Sequence, residues 1–209
     1  MNVLAIGAHF DDIELGCGGA IAKHNAQGDK ILLYVATDSG YTNYAREVIR
    51  KPEIARKEGE LAGKILGVND LICGNFVTND LQFNDELVMS IRRIIDEYEI
   101  DTIYSHWNGD VHMDHQNVSK AALSAARHVK KVLMYRSNFY DSPSFFRGNF
   151  YVDISEFINK KVEAVKAHAS EYERAGEIWL KFILNQNQND GQKINAEYAE
   201  CFEVVRYYW

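Results

Sequence analysis

The chain has 209 residues, 46% of them hydrophobic and 25% charged, with a formal net charge of −7. That size and balance suit one globular domain of ordinary soluble composition, and the acidic surplus argues against a nucleic-acid or anionic-membrane partner, since both select basic surfaces. Cys17, Cys73 and Cys201 are odd in number and form no CxxC pair, which speaks against a disulfide framework or a cysteine zinc knuckle and for a reducing, cytoplasmic compartment.

Met1-Asn2-Val3-Leu4 runs directly into an apolar strand pattern, without a basic leader, and no stretch of about 18 apolar residues follows anywhere. Neither a signal peptide nor a membrane span is expected. In chain order the pattern predicts a buried strand at 2–8, a helix at 16–27 stopped by Gly28, a strand at 30–36, an amphipathic helix at 53–66 ended by Gly67, and a short strand at 70–73. A helix at 85–98, a strand at 101–105, a helix at 114–128 and a strand at 132–135 follow. The remainder reads as a strand near Tyr151, helices at 155–169 and 172–185, and an aromatic-rich strand at 201–208, with the Asn/Gln cluster at 185–190 a loop or helix end. Strands alternating with helices imply βαβ units. The expected fold is α/β and Rossmann-like: a mostly parallel sheet flanked by helices, with the active site at the carboxyl ends of the strands. One domain is expected over 1–209, with a core at 1–136 and a C-terminal elaboration at 137–209.

Chemistry-bearing residues fall just after the strands. His9, Asp11 and Asp12 follow the first, Thr37 and Asp38 the second, and His106 to His115 the fourth. An imidazole and a carboxylate in His9-x-Asp11-Asp12 suit a divalent cation, leaving the other carboxylate free to take a proton from water. The plain alternative is that either aspartate caps the following helix. His112-Met113-Asp114-His115 puts two imidazoles on one turn, or is a polar loop capped by Asp114. Both clusters follow strands of one parallel sheet and should meet at one edge. Three protein ligands with one open position is the arrangement of a catalytic zinc. His106 falls close by as a supporting group, whereas His24, His128 and His168 lie in helical patterns and read as surface or core. Rival motifs fail. Gly16-Cys17-Gly18-Gly19 has Ile21 where a dinucleotide fingerprint needs glycine, and neither GxxxxGK[ST] nor GxSxG occurs. Cys17 reads as a small packing residue.

AHFDDIELGCGG, starting at Ala8, and His112-Met113-Asp114-His115 resemble the AHPDDxE and HxxDH motifs of the LmbE-like, or PIG-L, family of zinc-dependent N-deacetylases. Residues 56–67, 152–155, 161–164 and Tyr198-Ala199-Glu200-Cys201-Phe202 extend the likeness over nearly the whole chain. The resemblance implies a metal-dependent amidohydrolase that removes the N-acetyl group of a small amino-sugar substrate. His9, Asp12 and His115 would hold Zn²⁺ or another divalent metal, and Asp11 would be the general base. His112 would polarise the carbonyl or donate a proton, with Asp114 orienting it. Arg56 and Tyr198 would touch substrate, Tyr198 beside the oxyanion. Phe10 stands where the family has proline, and Ser170-Glu171 where it often has Ser-Gln. Phe10 is therefore expected beside the site entrance, altering substrate fit. Two other readings stand beside this one. The same site would act on a larger N-acyl group, or on a nucleotide- or carrier-linked sugar of antibiotic or polysaccharide synthesis, with Tyr41, Tyr44, Phe139, Tyr140, Phe145 and Phe146 lining the site or packing their loops. A non-catalytic sugar-binding protein is the third, against which Asp11 argues because binding needs no proton acceptor. The C-terminal Tyr207-Tyr208-Trp209 packs internally or meets another subunit of a homo-oligomer.

Overall fold

A computed structural model describes residues 1–68 and 70–208; Trp209, the last of the C-terminal aromatic triplet, lies outside them. The strands are β1 (Asn2–Gly7), β2 (Lys30–Thr37), β3 (Tyr41–Thr42), β4 (Val48–Arg50), β5 (Asp70–Phe76), β6 (Thr102–His106), β7 (Lys131–Tyr135), β8 (Phe150–Asp153) and β9 (Ala199–Tyr207). The helices are α1 (Asp12–Ala26), α2 (Pro52–Leu66), α3 (Asp85–Glu97), α4 (Met113–Ala125), α5 (Ile158–Ala167), α6 (Ala169–Ala175) and α7 (Glu177–Gln192). No helix among the described residues is long and apolar enough to cross a membrane.

The main sheet has the order β5-β2-β1-β6-β7-β9-β8. From β5 to β7 every pairing is parallel, and β9 runs antiparallel to both its neighbours. β1 and β2 are near-continuous apolar runs because helices cover both faces of the sheet. One face packs Cys17, Ile21, Ala62, Leu66 and Ala164 from α1, α2 and α5; the other packs Leu87, Ile91, Val118 and Ala122 from α3 and α4. From β1 the chain winds outward through β2 to β5, then returns to β6 on the other side of β1. The carboxyl ends of β1 and β6 therefore open a crevice where the winding reverses, the usual ligand position in such sheets.

The expected α/β architecture is the observed one, with local differences. The β3–β4 hairpin escapes a periodicity reading because its strands are only two and three residues long. The two late helices are three, broken at His168 (φ −78°, ψ 62°) and at Gly176, whose φ of 69° favours glycine. The Asn/Gln cluster at 185–190 is not a loop but the C-terminal half of α7, reaching its last turn; Asn187 Nδ2 donates to the Ala199 carbonyl at 3.0 Å.

Helix α1 starts at Asp12, four residues earlier than the sequence pattern suggests, and kinks at non-helical Cys17 (φ −145°, ψ 17°). Amides freed by the kink need acceptors. Those of Gly19 and Ala20 donate to Glu200 Oε1 and Oε2 at 2.9 and 2.7 Å, and Lys161 Nζ lies 2.6 Å from Oε1. Lys161 and Glu200 are both buried, so removing one partner alone would cost about 3–5 kcal/mol by stranding a charge. Gly16 allows the first turn to reach the sheet: a Cβ there would stand 2.0 Å from the Tyr135 ring. Tyr135 in turn donates to the Ile6 carbonyl at 2.7 Å. The front turn of α1 is thus seated directly on the carboxyl end of β1.

Candidate functional site

After β1 the chain is held at Ala8, whose carbonyl accepts from Thr37 N and Oγ1 at 3.0 and 2.8 Å. It then turns tightly through Asp11 into α1. His9 Nδ1 stands 3.3 Å from Asp12 Oδ2, Asp12 Oδ1 stands 3.2 Å from His115 Nε2, and His115 Nε2 stands 3.3 Å from His9 Nδ1. Ligands bound at about 2.0–2.1 Å in tetrahedral geometry sit roughly 3.3 Å apart. The spacing and the His₂Asp chemistry both fit a divalent metal, and all three side chains line the cleft.

Each of the two histidines turns its other ring nitrogen to a carboxylate. His9 Nε2 lies 3.0 Å from Asp114 Oδ2, and His115 Nδ1 lies 3.2 Å from Asp110 Oδ2. Such pairs fix ring orientation and tautomer around a metal. This corrects the expected role of Asp114. Its carboxylate serves His9 and accepts the Asn79 N–H at 2.8 Å; only its backbone N–H reaches His112, at Nδ1. Asp110 was not foreseen, because Asn108-Gly109-Asp110 reads as a turn. Its carboxylate accepts from the His112 amide and from Asn138 Nδ2, all at 2.8 Å. His106 is buried beneath the site, Nε2 being 3.0 Å from Ala8 N and 3.1 Å from Asp12 Oδ2.

The electrostatics of the metal-free site follow from this crowding. Burial pushes His9 down, but Asp114 and Asp12 outweigh it and raise it to about 9. Burial likewise opposes protonation of His115, and Asp12 with Asp110 overcome it to give about 10. Asp12 is buried, yet His115 and His106 hold its carboxyl well below the ordinary range. Asp11 behaves oppositely: burial, then the neighbouring Asp12 charge, push it up to about 7 against the pull of Arg50 and His168. His112 is held down by burial and by repulsion from His9 and His115. Since its Nδ1 accepts the Asp114 N–H, its proton resides on Nε2.

Asp11, His112 and the three donors lie in a cleft of about 620 Å³. Tyr41, Tyr44, Phe139 and Tyr140 line it, whereas Phe145 and Phe146 do not; Phe146 instead packs against Trp107 and Arg136. Three expected substrate contacts lie elsewhere. Phe10 is 2% exposed and does not flank the entrance; its ring fills the place a Cβ on Gly59 would take, 2.2 Å away. Arg56 lies on the outer face of α2, half-exposed beside Glu60, because Ala55, Gly59, Ala62 and Leu66 form the inner stripe. The arginine in the cleft wall with its side chain buried is Arg50, from the end of the unforeseen hairpin. Tyr198 leads into β9, bonded through its backbone to Ile154 and Ser155, and does not line the cleft. His24 pairs with Asp29 and Tyr104 at the other end of α1, His128 is exposed, and His168 is buried 3.3 Å from Glu14.

The sequence profile of the family described as PIG-L: GlcNAc-PI de-N-acetylase matches residues 4–126, from β1 through α4 and so across both metal loops. The chain belongs to this family. It is 34% identical over 182 residues to "Uncharacterized deacetylase YaiS" of Escherichia coli strain K12, covering 81% of this chain and 91% of that one. The diacetylchitobiose deacetylase of Thermococcus kodakarensis is 25% identical over 221 aligned positions, covering 98% of this chain and 83% of that one. The structure of N,N'-diacetylchitobiose deacetylase from Pyrococcus horikoshii superimposes with a TM-score of 0.82 at 22% identity, covering 98% and 83% of the two chains. This last likeness speaks for the fold.

Proposed function

We propose that the chain is a metal-dependent N-deacetylase that hydrolyses the acetamide of an N-acetylated amino sugar, with Zn²⁺ held by His9, Asp12 and His115. The observation that carries this reading is the meeting of three donor side chains at 3.2–3.3 Å beside a carboxylate raised to about 7. The deacetylase relatives, one of them described as acting on diacetylchitobiose, support the substrate class. A metal in this position supplies Lewis-acid polarisation of the amide carbonyl and acidifies the attacking water.

The remaining work falls to the protein's own groups. Asp11 accepts the proton of the water, a task suited to a base whose pKa lies near the working pH. His112, neutral and carrying its proton on Nε2, donates a hydrogen bond to the carbonyl oxygen as negative charge builds there; one such donor contributes about 10²–10³ in rate. Asp11 then returns its proton to the departing amine. Asp110 and Asp114 keep the His115 and His9 rings aimed. A second reading keeps the chemistry and enlarges the substrate: the aromatic lining and 620 Å³ volume of the cleft favour a sugar carrying a further ring or carrier over a free monosaccharide.

The test is release of primary amine and acetate from a panel of free, disaccharide, aryl-linked and nucleotide-linked N-acetylglucosamine derivatives, with zinc measured per chain. Asp11→Asn should lose about 10²–10⁴ in turnover with zinc still bound. Full activity in that variant would remove Asp11 as the base.

A further inference from the structure

We propose that Arg50 is the positioning residue for Asp11, an inference that rests on reading Asp11 as the base. Asp11 has φ 138° and ψ −26°, a left-handed conformation rare for a residue with a side chain. Such a backbone persists only where its surroundings over-determine it. On its C-terminal side the constraint is local, since the Asp11 carbonyl accepts the Leu15 N–H at 3.0 Å as α1 begins. On its N-terminal side Asp12 Oδ2 accepts the His9 N–H at 2.7 Å across the turn, but Phe10, whose carbonyl belongs to the Asp11 peptide, is held from afar. Arg50 Nη1 donates to the Phe10 carbonyl at 2.9 Å, and Ser39 Oγ accepts the Phe10 N–H at 2.8 Å. The Phe10 ring is wedged against Gly59.

The Phe10 carbonyl and the Asp11 nitrogen share one rigid peptide plane. Fixing that carbonyl fixes the plane from which Asp11 φ is set, and with it the direction of the Asp11 carboxylate. Arg50 is itself immobilised. Its Nη2 donates to Glu58 Oε2 at 2.8 Å and lies 3.3 Å from His168 Nδ1, while Ser170 N and Oγ hold Glu58 at 2.8 and 2.7 Å. One guanidinium therefore ties the β4 end, α2 and the α5–α6 junction to the turn that carries the base. A planar fork does this where a lysine cannot, because a single ammonium lacks the paired, fixed donors. Phe10 fits the same account: unlike the proline usual in the motif, it has an N–H for Ser39 to accept and a ring for Gly59 to seat.

Arg50 also has an Nε that is buried without a partner, in a side chain that lines the cleft. A direct substrate contact is thus the rival role, and kinetics separates the two. For Arg50→Lys and Arg50→Ala, zinc per chain should stay at the parent level. Turnover should fall about tenfold and about a hundredfold, the scale of a displacement of about 1 Å, with KM near that of the parent. Ser39→Ala, which removes the opposing pin with little loss of packing, should lower kcat by a smaller factor. In zinc-free protein, amide hydrogen exchange of the peptide covering residues 8–15 should quicken in Arg50→Lys. A raised KM at unchanged kcat would make Arg50 a substrate contact and overturn the proposal. So would zinc loss with unchanged kcat per bound zinc, or exchange and kinetics equal to the parent. If the parent itself deacetylates nothing, the proposed function fails, while the exchange measurement still decides whether Arg50 clamps the turn.

Discussion

The two loops that meet at the metal centre are built by different means. The loop after β6 closes on itself, with Asp110 accepting the His112 N–H, Gln116 Nε2 donating to the Asp110 carbonyl and the Asp114 N–H capping on His112 Nδ1, while Asn138 and Asn79 brace the Asp110 and Asp114 carboxylates from outside. The turn after β1 leans on the rest of the molecule. Ser39, Arg50 and Gly59 hold Phe10, and Ser137 Oγ donates to Asp12 Oδ1 at 2.9 Å. On the proposed reading the first loop delivers a metal ligand and a hydrogen-bond donor on a regular helix start. The second, on the same reading, delivers a ligand and a base from adjacent residues, pointing them differently, through a left-handed residue held by local bonds to His9 and Leu15 and by tertiary contacts to Phe10. Substitutions in the first should therefore act on the metal, and substitutions around the second on stability and on the base.

The sharpest break is His115→Ala, which removes one of three ligands. Zinc per chain by metal analysis should fall to near zero and activity with it; unchanged zinc would sink the ligand assignment. Phe10→Ala should next destabilise the fold by about 3–5 kcal/mol, the usual cost of deleting a buried aromatic ring. Denaturant unfolding reads this, and the ratio of activities across the substrate panel should stay constant. A changed ratio would return Phe10 to the cleft. Asp110→Asn should weaken zinc binding by about 10–100-fold, as expected for a carboxylate behind a ligating histidine. Chelator competition measures it, and wild-type affinity would show that the 3.2 Å approach to His115 is incidental.

The last effect is graded with pH. His9 and His115 stand raised to about 9 and about 10 without metal, so at neutral pH each of their facing nitrogens holds a proton that a metal must displace. Affinity for Zn²⁺ should therefore rise with pH below 9, by up to about a hundredfold per unit because one proton is displaced from each of the two rings. Chelator titrations at pH 6, 7 and 8 test this, and a flat profile would contradict it.

What the amino-acid sequence determined by itself was the order of strands and helices, apart from the β3–β4 hairpin and the break between α5 and α6, and the placing of His9, Asp11, Asp12, His112 and His115 just beyond strand ends. Hydrophobic periodicity and residue type suffice for that, because each is expressed within a few neighbouring residues. The tertiary structure decided how these residues are supported. Asp114 serves His9 across 105 positions, and Asp110 takes the place beside His115. Arg50 enters the cleft from a hairpin too short to show a period, while Arg56 turns outward. Phe10 packs inward on Gly59 instead of facing substrate. Each of these depends on which distant side chain arrives at a given atom, and on which face of a helix or turn is already occupied. A hydrogen bond at 3 Å between residues a hundred positions apart leaves no mark in local pattern; it exists only once the sheet has brought β1 and β6 side by side.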